Sequence, residues 1–322
     1  MAQINDLFQA TSLADRRGTF LEVERSTPDE VPERTIAVMG IPGATPYASA
    51  GAYCSAAPAA IRNEIARYSN TITHHNFDLG GALLPEGARL FDVGDFEFDA
   101  NDFGANRRRI RNTVDMFLQR GVVPVVLGGD DSVQIPVIEA FAARSEITIL
   151  QIDAHIDWRD EVQGERFGLS STMRRASEMA GVTTMVQVGA RGVGSARPAD
   201  VDDALSYGVR LFDMQRIRRE GLAAAIEAIP AGKPFVVCLD VDGLDPSVMP
   251  AVIGRSPGGL SYGDVAQLIA GAAARAPIVG FNIVELVPEN DIDAQGVLAA
   301  ARLSMLGIGL AARAQLRHAT RG

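Results

Sequence analysis

The feature that most constrains this chain is a set of six short runs, rich in β-branched residues and apolar throughout: residues 35–41, 122–128, 147–153, 183–189, 235–242 and 278–285. A strand with one wetted face alternates polar and apolar side chains. Runs that are apolar on both faces belong to parallel sheets covered by helices on both sides. Between these runs lie segments with helical spacing of apolar residues: 58–68, 105–120, 132–143, 214–229, 261–275 and 294 to about 315. This alternation predicts a doubly wound, three-layer α/β/α fold with a mostly parallel sheet. No internal repeat or low-complexity linker divides the chain. Residues 1–33 are polar and interrupted by Pro28 and Pro32, so they read as an arm packed over the core, leaving 34–322 as one domain.

Composition narrows the functional classes. The two cysteines, Cys54 and Cys238, have none of the close spacings of zinc ligands or redox pairs and read as small apolar fillers in a reducing compartment. The first residues lack a basic start with a long apolar stretch, and no run approaches the roughly 20 apolar residues of a membrane span, so the expected location is the cytoplasm, with no membrane partner. A formal net charge of -10 argues against nucleic acid and mildly favours a small cationic ligand.

In a doubly wound sheet, reactive groups gather beyond the carboxyl ends of the strands. The run 147–152 leads into Asp153-Ala154-His155-Ile156-Asp157, and the run 236–239 into Asp240-Val241-Asp242. Continued as strands, each motif would place its acidic and imidazole groups on one face. Carboxylates held that close repel one another and must take up protons unless cations neutralise them. Two divalent ions bridged by carboxylates would resolve this and would lower the pKa of a water held between them enough to supply hydroxide at neutral pH. Capping and turn chemistry explains a lone Asp153 or Asp240 but not His155 or the repeated two-residue spacing.

With Gly128-Gly129-Asp130 and Glu285-Leu286-Val287-Pro288, and with Asp240-Val241-Asp242 continuing as Gly243-Leu244-Asp245-Pro246, these motifs resemble the ureohydrolases, a family that includes arginases, agmatinases and guanidinobutyrases. The resemblance spans residues from about 37 to about 310. It implies an arginase-like catalytic domain over 34–322 and hydrolysis of a small cationic guanidino substrate to urea and an amine. It further implies two divalent metal ions, manganese foremost with nickel as the alternative, and a homo-oligomer, trimer or hexamer. Carried over by position, Asp153 and Asp240 would bridge both ions, His155 and Asp242 would complete one, and Asp157 would help hold the other. Asp153, His155 and Glu285 would be the catalytic set, with Glu285 pairing with the cationic nitrogens of the substrate.

Departures from the family pattern are equally informative. The residue after Gly-Gly-Asp is a histidine metal ligand in typical members and is Asp131 here. Asp131 either supplies an oxygen ligand, making the first site all-oxygen and suited to hard ions, or merely caps the helix beginning at Ser132. A histidine common near Ser170 is absent, and Ser170 or Ser171 can donate a hydrogen bond but cannot act as a base. His74 and His75 are alternatives only by elimination. Arg255 stands in a stretch that is usually small and threonine-rich, placed either at a subunit contact or toward an anionic group of the substrate. Trp158 either walls the pocket or fills the core. Residues 43–58, with Tyr47 and Tyr53, suit a lid over the site. Retained Asp153, His155, Asp157, Asp240, Asp242 and Glu285 favour an enzyme; Asp131 and Ser170 leave open a non-catalytic subunit that assembles with a sister chain, as in metformin hydrolase-like hetero-oligomers.

Overall fold

The computed structural model describes residues 18–319. Its centre is a nine-stranded sheet, parallel throughout: β1 (Glu24–Arg25), β2 (Ile36–Ile41), β3 (Leu90–Asp95), β4 (Val123–Gly128), β5 (Ile147–Ile152), β6 (Val182–Val188), β7 (Arg210–Phe212), β8 (Phe235–Asp240) and β9 (Ile278–Val284), in the spatial order β1-β3-β2-β4-β9-β8-β5-β6-β7. All six predicted runs are strands. The three not anticipated, β1, β3 and β7, lie toward the two edges, where short or partly polar segments carry no both-faces-apolar signature.

Alternation along the strands divides the core in two. Ile36 and Val38 face one layer, formed with α1 (Ala57–Ala66), α6 (Met214–Glu220), α7 (Ala223–Glu227), α8 (Tyr262–Arg275) and α9 (Gln295–Ala319). Ala37, Met39 and Ile41 face the other, formed with α2 (Phe103–Gln119), α3 (Gln134–Ala142), α4 (Thr172–Ser177) and α5 (Pro198–Tyr207). The segment 214–229, read from periodicity as one helix, is broken at Gly221, whose φ of 75° ends α6 with its amide on the Ile217 carbonyl. The Gln295–Arg317 stretch of α9 is long and apolar enough to cross a membrane by length and composition, contrary to the expectation that no run would be. Of its 18-residue apolar window, 72% is buried inside this protein's own fold.

Residues 18–33 do more than lie over the core. Phe20 is fully buried, β1 pairs with β3, and the Phe20 amide donates to Asp92 at 2.6 Å. Asp92, fully buried on β3, is held in bidentate fashion by Arg62 of α1 at 2.7 and 2.9 Å, which ties the N-terminal segment, helix and sheet edge together. Residues 1–17 of the predicted arm lie outside the described residues.

Candidate metal centre

Four adjacent strands at the middle of the sheet, β4, β9, β8 and β5, converge on one acidic cluster. Their register sets a level row, Leu127 beside Ile283, Ile283 beside Leu239, and Leu239 beside Ile152. Asp240 and Asp153 are each the next residue beyond that row, Glu285 follows Val284, and Asp131 follows the Gly128-Gly129-Asp130 turn. At Gly129 a Cβ would run into the Pro42 carbonyl, so only glycine lets β4 turn this close to the loop after β2.

The alternation argument for the Asp153 motif is corrected by the structure. β5 ends at Ile152, and residues 153–157 form a turn in which Asp157 has a φ of 44°. Likewise Val241–Gly243 is a 3-10 turn, its entry capped by Asp240, which accepts from the Asp242 amide at 2.7 Å. Convergence comes from these turns and not from a strand pleat. Asp153, His155 and Asp242 offer ligand atoms within 4.8 Å of one another, and Asp131, Asp153 and Asp240 do the same, so Asp153 is shared by two groups. His155 Nδ1 is 3.3 Å from Asp153 and 3.2 Å from Asp242. Asp240 belongs to one of the groups. Asp157 belongs to neither, but Gln151 Nε2 donates to both Asp153 and Asp157 at 2.7 Å, and Gln187 donates in turn to Gln151.

The capping alternative for Asp131 is taken by its neighbour. Asp130 accepts from the amide and hydroxyl of Ser132 and from the Ala44 amide. Asp131 has one oxygen on Gln134 Nε2, while Oδ2 is buried without a hydrogen-bond partner. An unpaired carboxylate oxygen beside two further carboxylates is expensive unless a cation takes it. The residues present therefore fit divalent ions, with an all-carboxylate group on one side and a group containing one imidazole on the other.

Electrostatics agree. Burial first, and neighbouring carboxylates second, push Asp131, Asp157 and Asp240 well above the usual carboxylate range, and Asp242 upward. Burial acts on Asp153 in the same direction, but His155 outweighs it and brings Asp153 below its ordinary value. Burial opposes the charge of His155, yet its hydrogen bonds to Asp153 and Asp242 push it up to about 11. Such a cluster holds together only by keeping protons or by exchanging them for cations.

Glu285, buried and at a φ of 68°, stands beside the cluster but in neither group. It accepts from the Asp131 amide at 2.7 Å and the Tyr53 hydroxyl at 2.6 Å, and burial pushes it up to about 8. Ser170 is buried with its amide on the Tyr47 hydroxyl, and the Ser171 hydroxyl is buried and unpartnered. His74 and His75 are exposed, in a groove with Tyr68 and Phe77, and are not brought to the cluster. Arg255 binds the carbonyls of Pro250 and Asn290 instead of an acid. Trp158 is core, packed near Tyr207 with its indole N–H on Asp203. Sequence reasoning missed Gln134 and Gln151 as carboxylate holders, although one lies three residues after Asp131 and the other two before Asp153, spacings that place side chains together.

The structure is thus a parallel α/β sheet with paired acidic groups, able to hold metal ions, at the ends of its central strands. The chain belongs to the arginase family, whose profile matches residues 34–307. It is 37% identical over 211 residues to an N(1)-aminopropylagmatine ureohydrolase of Thermus thermophilus, covering 64% of this chain and 68% of that protein. It is 27% identical over 246 residues to a guanidinobutyrase of Pseudomonas aeruginosa, covering 74% and 76%. In structure it resembles proclavaminate amidino hydrolase from Streptomyces clavuligerus, with a TM-score of 0.80 and 24% identity over 92% of this chain and 97% of that one.

Proposed function

We propose that this protein is an amidino hydrolase that releases urea from a small guanidino compound at a centre of two divalent metal ions. The observation that carries the reading is the pair of interlocked groups sharing Asp153, together with the unpartnered Oδ2 of Asp131. Asp131, Asp153 and Asp240 would hold one ion; Asp153, His155 and Asp242 would hold the other, with Gln134 and Gln151 orienting the carboxylates. The oxygen-rich donor set favours manganese over nickel. Two such ions, when bound, would supply a water-derived nucleophile at neutral pH by lowering the pKa of that water.

The chain's own residues account for the rest. Glu285 is the anion next to the cluster that is left for a guanidinium, which it would meet with two parallel hydrogen bonds and so present the central carbon to the cluster. Residues 43–56 carry no charged side chain, which suits a substrate whose other end is small or neutral. The unpartnered Oδ2 of Asp131 supports activity without a sister subunit. The test is bound metal per chain after manganese loading and dialysis, followed by urea release from guanidines. About two ions and metal-dependent urea support the reading; one ion or none returns the non-catalytic alternative.

A further inference from the structure

Glu285 is held at both oxygens, and the second holder comes from an unexpected place. Its amide is fixed to the Gly129 carbonyl at 2.8 Å, and its Oε1 accepts from the Asp131 amide, both consequences of the sheet and the turn after β4. Its Oε2 accepts from Tyr53, which belongs to the loop after β2, 232 residues away in sequence, with the Cys54 thiol a further 4.0 Å contact to the same oxygen. That loop is itself anchored. The Thr45 amide donates to Ser132 Oγ at 2.7 Å, the Tyr47 ring lies against Gly168, and the Ala57 amide closes the entry of α1 on the Cys54 carbonyl at 3.0 Å.

The last torsion of a glutamate is broad, so a carboxylate held at one oxygen can still turn. One donor on each oxygen fixes its plane. Each oxygen has two lone-pair positions; Oε1 keeps one free, and the second on Oε2 meets only the weak Cys54 thiol donor at 4.0 Å, which a guanidinium N–H would displace. A pair of free acceptors in a fixed plane is what the two parallel N–H donors of a guanidinium require. We propose that Tyr53 is a positioning residue, setting the plane of Glu285 for a guanidinium with two unsubstituted nitrogens and linking loop 43–56 to substrate recognition. This rests on the reading of Glu285 as the guanidinium-binding carboxylate. The Tyr53 phenol keeps its proton, since burial and the nearby Glu285 charge push it far up, and so has a hydrogen to donate to Glu285.

The test is a double-mutant cycle on the manganese-loaded full chain, with guanidinium chloride at millimolar concentration as the probe in calorimetry. Tyr53→Phe should weaken binding about 10-fold, the lower end for a hydrogen bond to a charged group. In a Glu285→Gln background the same change should have an effect of less than about 2-fold, because a residue that acts through Glu285 has nothing to position once the charge is gone. Bound manganese and melting temperature of Tyr53→Phe should match the unsubstituted chain. An unchanged affinity in Tyr53→Phe, or an equal loss in both backgrounds, overturns the positioning role while leaving the amidino hydrolase reading intact. A manganese-loaded chain that binds no guanidinium overturns the reading of Glu285 and this inference with it.

Discussion

Replacing Asp131 by asparagine should move stability in opposite directions with and without metal. The change keeps volume and retains an acceptor for Gln134 while removing one charge from a group whose ligand atoms lie within 4.8 Å of one another. At that separation and an effective dielectric of about 20, each fully ionised carboxylate pair costs about 3.5 kcal/mol, and Asp131 forms two such pairs, with Asp153 and Asp240. The raised proton affinities of Asp131 and Asp240 show that the metal-free cluster relieves much of this by keeping protons. The realised gain should therefore be about 1–3 kcal/mol, a rise of about 2–6 °C in the melting temperature of the chelated protein. With manganese the sign reverses. Losing an anionic ligand should weaken the first ion by more than the roughly 10–100-fold that removal of an outer partner costs. Scanning calorimetry with and without manganese, beside metal analysis after dialysis, reads both effects. A chelated Asp131→Asn chain that melts below the parent, while still holding two manganese ions as tightly, would refute the reasoning.

Further outcomes follow from the same geometry. The chelated protein should lose stability as pH rises out of the ordinary carboxylate range and on through about 8, the value to which Glu285 is pushed. Glu285 and four of the five aspartates hold protons more tightly folded than unfolded, so their contribution is complete below the unfolded values and gone once pH passes the folded ones. Saturating manganese should flatten that decline, and melting curves across pH with and without the metal check it. Arg62→Leu should destabilise the chain by about 3–5 kcal/mol in denaturant unfolding, because it strands the fully buried Asp92. As Arg62 lies outside both acidic groups, manganese stoichiometry in the folded fraction should stay at the parent value.

Legibility in the sequence followed the physics of each signal. Strands buried on both faces were readable because nothing but a covered parallel sheet explains runs such as 147–152 and 235–239. The edge strands β1, β3 and β7 were not, since Glu24, Asp92 and Arg210 break the apolar pattern. The acidic motifs pointed to a cluster able to hold metal ions, and Asp153, His155, Asp240 and Asp242 from them do converge in the structure. Geometry within the motifs was not readable: alternation assigned Asp157 to the same face as Asp153, but the chain turns after Ile152 through a left-handed residue. The role of Asp131 depended on whether Asp130 or Asp131 capped the following turn, a choice made by the Ser132 and Ala44 contacts of Asp130. The Tyr53 to Glu285 bond joins two loops by tertiary packing alone, and no local pattern encodes it.

The central claim is tested most directly by urea release from a panel of guanidines, including agmatine, 4-guanidinobutyrate and methylguanidine, by the manganese-loaded chain alone. The account predicts urea from at least one of them, abolished by chelation and by Asp240→Ala. Two bound manganese ions per chain with no urea from any guanidine would contradict it.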